Sequence, residues 1–270
     1  MSYYKFIDLF AGIGGIRLGF ELAFKKNSET VFVSEWDEYA QKTYKANFES
    51  PKEIAGDITK INEKEIPTFD ICLAGFPCQA FSMAGQRKGF DDNYKGICRG
   101  TLFLDVARIC EEHKPKVIFC ENVKGLTIHD KGRTFKIIKS TFENLGYNVF
   151  SKILNSRDFG VPQNRERIYI VCFRKVLEIK EFNFPKSTDS TKTIRDILEE
   201  NPVSAKYYLS TTYIETLKRH KARHEAFPDS YKLVLADTHL YKQFGNSVSV
   251  PVIAAIAGEI KKKLAKSEEK

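Results

Sequence analysis

The sequence lacks any apolar run approaching the ~20 residues that a membrane-spanning helix needs, so no transmembrane helix is expected in its 270 residues. Met1-Ser2-Tyr3-Tyr4-Lys5 passes at once into a strand-like run, and no signal peptide is expected. The six cysteines (Cys72, Cys78, Cys98, Cys110, Cys120 and Cys172) form no Cys-x-x-Cys pair and no Cys/His ligand spacing, so no metal is expected. Most of them lie in apolar runs, where a thiol acts as a small hydrophobe, and a reducing compartment suits them better than a disulfide framework. Internal repeats and low-complexity tracts are absent, and Trp36 is the single tryptophan.

Against these absences stand 42% hydrophobic residues with 21 Phe and 12 Tyr, enough to bury a sizeable core in one domain with or without a small second lobe. Lys and Arg number 43 against 35 Asp and Glu, a formal charge of +8. Such an excess suits a polyanionic partner, although the attraction it gives is non-specific. Part of it sits in Lys261-Lys262-Lys263, which also reads as the solvated face of a terminal helix.

Strand-like and helix-like segments alternate over the first two-thirds, the signature of an α/β sheet covered on both faces. Strands are expected at Lys5–Phe10, Thr30–Ser34, Phe69–Ala74, Lys116–Cys120, Val149–Leu154 and Ile168–Phe173. Helices are expected from the first glycine turn to about Lys25, then at Tyr39–Phe48, Leu102–Glu112, Thr134–Leu145 and Pro251–Leu264. The last two strands are too close for a helical crossover and should run antiparallel. Lys175–Gln243 reads as polar and irregular. The expected organisation is a main domain of residues 1–174 and 247–270 with a small lobe at 175–246.

Asp8-Leu-Phe-Ala-Gly-Ile-Gly-Gly15 sets a glycine turn, with Gly12 and Gly14, between the first strand and its helix. Such a turn lets backbone approach a nucleotide-like ligand at the sheet's carboxyl edge. Its spacing is not Gly-x-Gly-x-x-Gly, which disfavours a nicotinamide-dependent oxidoreductase. Glu35 ends the second strand beside Trp36. The acid can take both ribose hydroxyls, the indole can stack on adenine, and Asp57 can accept from the adenine amino group. An adenosyl ligand without phosphates fits this set. Taken alone, Trp36 is equally a half-buried packing residue.

Gly75-Phe76-Pro77-Cys78-Gln79 follows the third strand directly and lies at the same edge. A thiol on a tight Pro-containing turn suits nucleophilic chemistry, given local activation of its ~8.5 pKa. Glu121 closes the apolar strand ending at Cys120, either as a helix cap or as a catalytic group near Cys78. Arg165 and Arg167 flank Glu166 before the last strand, and one can enter the pocket while the other pairs with Glu166 or a neighbour. Exposed ion pairs are the plain alternative for both.

These motifs resemble those of the bacterial DNA (cytosine-5) methyltransferases. The resemblance covers Phe6–Gly19, Glu35–Trp36, Gly75–Ser82, Glu121–Val123, Gln163–Arg167 and Gln243–Val248, in the family's order. It implies a Rossmann-like S-adenosylmethionine-dependent methyltransferase sheet with a small truncated second lobe. It also implies a monomer acting on double-stranded DNA in the bacterial cytoplasm, beside a cognate restriction endonuclease. Cys78 would attack carbon 6 of a flipped cytosine, Glu121 would interact with N3, and Arg165 would hold the base. Phe10, Glu35, Trp36, Asp57, Pro77, Leu102 and Asn246 map onto positions that contact S-adenosylmethionine. Residues 82–100 correspond to a mobile DNA-closing loop, with Ser82, Gln86, Arg87 and Lys88 on the DNA and the two basic residues on phosphates.

The resemblance fails at one place. His224-Glu225-Ala226 runs straight into Phe227-Pro228-Asp229 where the family carries a large target-recognition segment. Cytosine methylation of tRNA, and a DNA-binding remnant or split subunit with little activity, remain as alternatives.

Overall fold

The computed structural model describes residues 2–49, 51, 53–77, 102–188 and 237–269, the backbone of 93–94 and 97–98, and residues 193, 196, 227, 230–232, 234 and 235. Its strands are β1 (Tyr4–Leu9), β2 (Ser28–Ser34), β3 (Ile71–Ala74), the short antiparallel pair β4 (Asn93–Tyr94) and β5 (Ile97–Cys98), then β6 (Val117–Val123), β7 (Tyr147–Asn155) and β8 (Glu166–Arg174). Six of them form one sheet in the order β2-β1-β3-β6-β8-β7. The first four positions run parallel, whereas β8 is antiparallel to both β6 and β7. The antiparallel closing pair matches the expectation from its short connection.

Parallel strands covered on both faces read as nearly continuous apolar runs, and β3 and β6 are buried at every position. Successive side chains then divide between two layers. Ile7, Cys72, Ile118, Cys120, Ile170 and Cys172 face α3 (Phe103–His113) and α4 (Arg133–Asn144), which bring Val106, Ile109, Cys110, Ile138 and Phe142. Phe6, Ile71, Leu73, Phe119, Val171 and Phe173 face α1 (Gly15–Phe24) and the last helix. Ile16, Phe20 and Phe24 of α1 recur every four residues and are buried. The four thiols named here are fully buried, so they pack as hydrophobes and burial raises their pKa values.

Helix α2 (Glu38–Asn47) starts where the Asp37 side chain accepts from the amides of Tyr39 and Ala40. Two further helices close the described chain, α5 (Asp237–Asn246) and α6 (Val250–Glu268). Helix α5 lies in the stretch that the sequence reads as irregular. Its isolated pattern is weak, and it is held by tertiary contacts, among them Thr43 Oγ1 to Gln243 Oε1 at 3.0 Å and a Tyr39–His239 ring stack at 4.1 Å. Ile179 and Phe182 likewise pack onto Phe150 and Phe173 of the main core. Among the described residues no helix is long and apolar enough to cross a membrane.

Candidate active site

At the carboxyl ends of β1 and β2 the chain makes an unusual bend. Phe10, Gly12 and Gly14 all have positive φ, of 56°, 55° and 83°. Glycine is required at position 14, because a Cβ there would stand 2.3 Å from Cε2 of Phe48. Among the described residues nothing lies within 4 Å of a Cβ built at Gly12, so this part of the turn borders open space. Three hydrogen bonds hold the bend: Gly14 N to Ala11 O (2.8 Å), Ala11 N to Ser34 O (3.1 Å) and Gly12 N to Glu35 Oε2 (2.8 Å).

Glu35 is buried, and burial raises its pKa, against the pull of the amides that it accepts from. Its second oxygen takes the amide of Asp37 at 2.8 Å. Each carboxylate oxygen has a further lone pair, so the group can still receive two hydroxyls. Trp36, next in sequence, is 48% exposed. A short parallel bridge between Ser34 and Ala55 lays the Asp57 segment beside them, with Glu35 N to Ala55 O at 2.9 Å. Asp57 Oδ1 caps the following turn by accepting from Thr59 N and Oγ1. Arg108 of α3 braces that turn from below, donating to the carbonyls of Ile58 (2.7 Å) and Ile61 (2.9 Å). Leu102 is buried at the start of α3, and Asn246 is exposed at the end of α5.

Two acids and an indole around an open backbone turn suit a phosphate-free adenosyl group and would repel a pyrophosphate. The residues therefore fit S-adenosylmethionine.

The second cluster lies at the ends of β6 and β8. Glu121 is buried and its pKa is raised by burial, with Arg167 and then Arg165 opposing that shift. Arg167 Nε stands 3.2 Å from Glu121 Oε1, an ion contact without hydrogen-bond alignment. Glu166, expected with its neighbours as a partner for one arginine, accepts from Arg167 at its main-chain carbonyl, while its carboxylate pairs with Lys124. Arg165 reaches the other way, donating to the carbonyls of Ser247 and Gly245 and so tying β8's entry to the end of α5. Asn122 Nδ2 donates to the carbonyl of Phe76 at 3.3 Å. That bond fixes the half-buried Pro77 turn to the strand bearing Glu121. Cys78, Ser82, Gln86, Arg87 and Lys88 lie outside the described residues.

Sequence reasoning missed Asn122, Arg108 and a buried group beneath the turn. In that group Tyr44 OH donates to Asp8 Oδ2 (3.2 Å) and Arg17 Nη1 donates to Tyr44 OH (3.1 Å). Arg17 also lies 4.3 Å from the Phe48 ring centroid. One signal was available: Arg17 follows Ile13 by four and precedes Phe20 by three, on the apolar face of α1.

The C-5 cytosine-specific DNA methylase family matches residues 4–226 and 218–262, two stretches that overlap at 218–226. The type II methyltransferase M.HpaII of Haemophilus parainfluenzae is 44% identical over 333 residues, covering 97% of this chain and 90% of that protein. M.HhaI of Haemophilus parahaemolyticus is 39% identical over 316 residues, covering 95% and 94%. Both alignments are longer than the 270-residue chain, so each relative carries residues without a counterpart here. Among solved structures, Entamoeba histolytica EhMeth superposes with a TM-score of 0.72 at 20% identity over all of both chains. The Dnmt2 methyltransferase of S. pombe gives 0.71 at 17% identity, over 97% of this chain and 99% of that one. These two likenesses concern the fold alone. On the family match and its relatives, the chain belongs to the C-5 cytosine-specific DNA methylases, enzymes that take their methyl group from S-adenosylmethionine.

Proposed function

We propose that Cys78, Glu121, Arg165 and Arg167 carry the methyl transfer to carbon 5 of cytosine in DNA. The observation that carries this reading is the Asn122–Phe76 bond, which brings the turn leading into Cys78 against the Glu121 strand. The Cys78 thiolate adds to carbon 6 of a cytosine flipped out of the duplex, since a stacked base is out of reach. Electron density then moves to carbon 5 and toward N3. Glu121 faces N3, and its raised pKa suits a carboxyl that holds or shares a proton there. Arg167 is the arginine beside Glu121, which favours it over Arg165 for polarising the base, while Arg165 positions the Gly245–Ser247 turn. Bound S-adenosylmethionine supplies an electrophilic methyl group. Loss of the carbon 5 proton and expulsion of the Cys78 sulfur end the sequence and regenerate the thiolate.

Gly12, Gly14, Glu35, Trp36, Asp57, Phe10, Pro77, Leu102 and Asn246 hold that cofactor in this reading. Ser82, Gln86, Arg87 and Lys88 contact DNA. Alignments of 333 and 316 residues with relatives, against 270 in this chain, support a lost target-recognition segment in the 175–246 lobe, so that major-groove readout is reduced. A bacterial cytoplasmic setting, a monomeric enzyme and a partner restriction endonuclease belong to the same proposal. The test is trapping on duplex DNA containing 5-fluorocytosine. A covalent adduct that needs S-adenosylmethionine and disappears in Cys78→Ala is expected, whereas an undiminished adduct in that variant would rule the assignment out.

A further inference from the structure

The glycine turn is held from a third side, by a residue far away in sequence. Tyr231 is buried, and its hydroxyl donates to the main-chain carbonyl of Ile13, between Gly12 and Gly14. The approach of Tyr231 is itself fixed. Its neighbour Lys232 is clasped to α2 by Asn47, whose Oδ1 accepts from Lys232 N at 2.6 Å and whose Nδ2 donates to Lys232 O at 3.0 Å. The Tyr231 ring packs with Ala11, Ile13, Val33, Tyr44 and Phe48, and lies 4.7 Å from the ring of Phe227. The start of α1 has no slack to yield: a Cβ at Gly15 would lie 2.8 Å from Ser247 Oγ and 3.0 Å from Cζ of Phe227.

We propose that Tyr231 is a positioning residue for the cofactor turn, through which the Tyr231–Lys232 segment sets the affinity for S-adenosylmethionine. The turn carries positive φ at Phe10, a conformation that a non-glycine residue keeps only where its surroundings impose it, and at Gly12 and Gly14, which are free to leave theirs unless held. Glu35 restrains the amide of Gly12, and Tyr231 restrains the carbonyl of Ile13 one residue later. With both ends of that peptide pair fixed, the amides bordering the open space keep one orientation. Releasing the carbonyl leaves a buried acceptor to be satisfied by rotation of the peptide, which misdirects the adjacent amides. Tyr231 touches neither cofactor nor base in this proposal. Its effect passes through Ile13.

The proposal rests on the reading that the cofactor lies at the glycine turn, so the experiment carries an arm for each. Binding of S-adenosylhomocysteine to the full chain is measured by calorimetry, and methyl transfer to DNA by steady-state kinetics, for wild type, Trp36→Ala and Tyr231→Phe. Trp36→Ala should weaken binding by at least about tenfold, since it removes an aromatic face. Tyr231→Phe keeps the ring and removes only the hydroxyl. It should raise the dissociation constant and the KM for S-adenosylmethionine by about five- to twentyfold, with kcat at saturating cofactor and KM for DNA unchanged. A fall in kcat with KM unchanged would mean a merely structural role and overturn the proposal. Undisturbed binding in Tyr231→Phe beside weakened binding in Trp36→Ala would overturn the proposal and leave the site reading intact. Undisturbed binding in both would remove the two together.

Discussion

Asp8 is fully buried, accepts from Tyr44 on one oxygen, and among the described residues has no hydrogen bond to the other. Burial pushes its pKa up to about 7, and the nearby Arg17 charge and the Tyr44 hydroxyl only partly oppose this. The sign follows from proton linkage. A native carboxyl that titrates higher than in the unfolded chain contributes stability at low pH and loses it as pH rises toward 7. Asp8→Asn removes that dependence. Urea unfolding of wild type should therefore show a decline between about pH 4 and pH 7 that the variant lacks, with a difference of up to about 4 kcal/mol at 1.36 kcal/mol per pKa unit. Parallel curves for the two proteins would show that Asp8 is not the titrating group. Glu35, Trp36 and Glu121 could be picked out as candidates from the sequence because each lies at or just past the carboxyl end of an apolar strand, a position that local pattern reveals. Asp8 and Tyr44 could not, because a bond between residues 36 positions apart leaves no periodic trace.

Element by element, the sheet shows why the arginines fall where they do. Strand β8 is inserted antiparallel between β6 and β7, with Val123 opposite Arg167 and Glu121 opposite Tyr169. Directly opposed residues share a face, so Arg167 and Glu121 become diagonal neighbours within side-chain reach. The sequence told that β7 and β8 are antiparallel. It did not tell that β8 also pairs with β6, because strand order is set by packing across the sheet and not by the connecting loop. The turn after β1 is stricter. Gly14→Ala combines a positive φ of 83° with a methyl pressed into Phe48, and should destabilise the protein by more than about 1 kcal/mol. S-adenosylhomocysteine binding should fall with it. A melting temperature and affinity equal to wild type would show that the turn can relax.

For the molecule as a whole, the α/β architecture and the order of its motifs were readable, since alternating apolar runs are long-range regularities that survive in one dimension. The packing of Lys232 and of α5 onto α2 was not, for it rests on single contacts such as Asn47 with Lys232 and Thr43 with Gln243. Charge makes a separate statement at this scale. An excess of +8 favours DNA of any sequence, and the proposed loss of the recognition segment leaves little to oppose that indifference. Methylation by the purified chain, mapped by bisulfite sequencing of a plasmid, should spread over many cytosine contexts at low rate. Complete modification of one short site with clean flanks would contradict the proposed loss of readout.

Helix α6 supplies Val252, Ile253, Ile256, Ile260 and Leu264 to the core beside Phe20 and Phe24 of α1, and its Lys261 caps the carbonyls of Ala23 and Phe24. A helix near residue 20 is thus sealed by one that lies far downstream in the chain. While the chain leaves the ribosome, the oily flank of α1 stays bare until α6 emerges, a long interval in which chaperones can engage it and nascent chains can stick to one another.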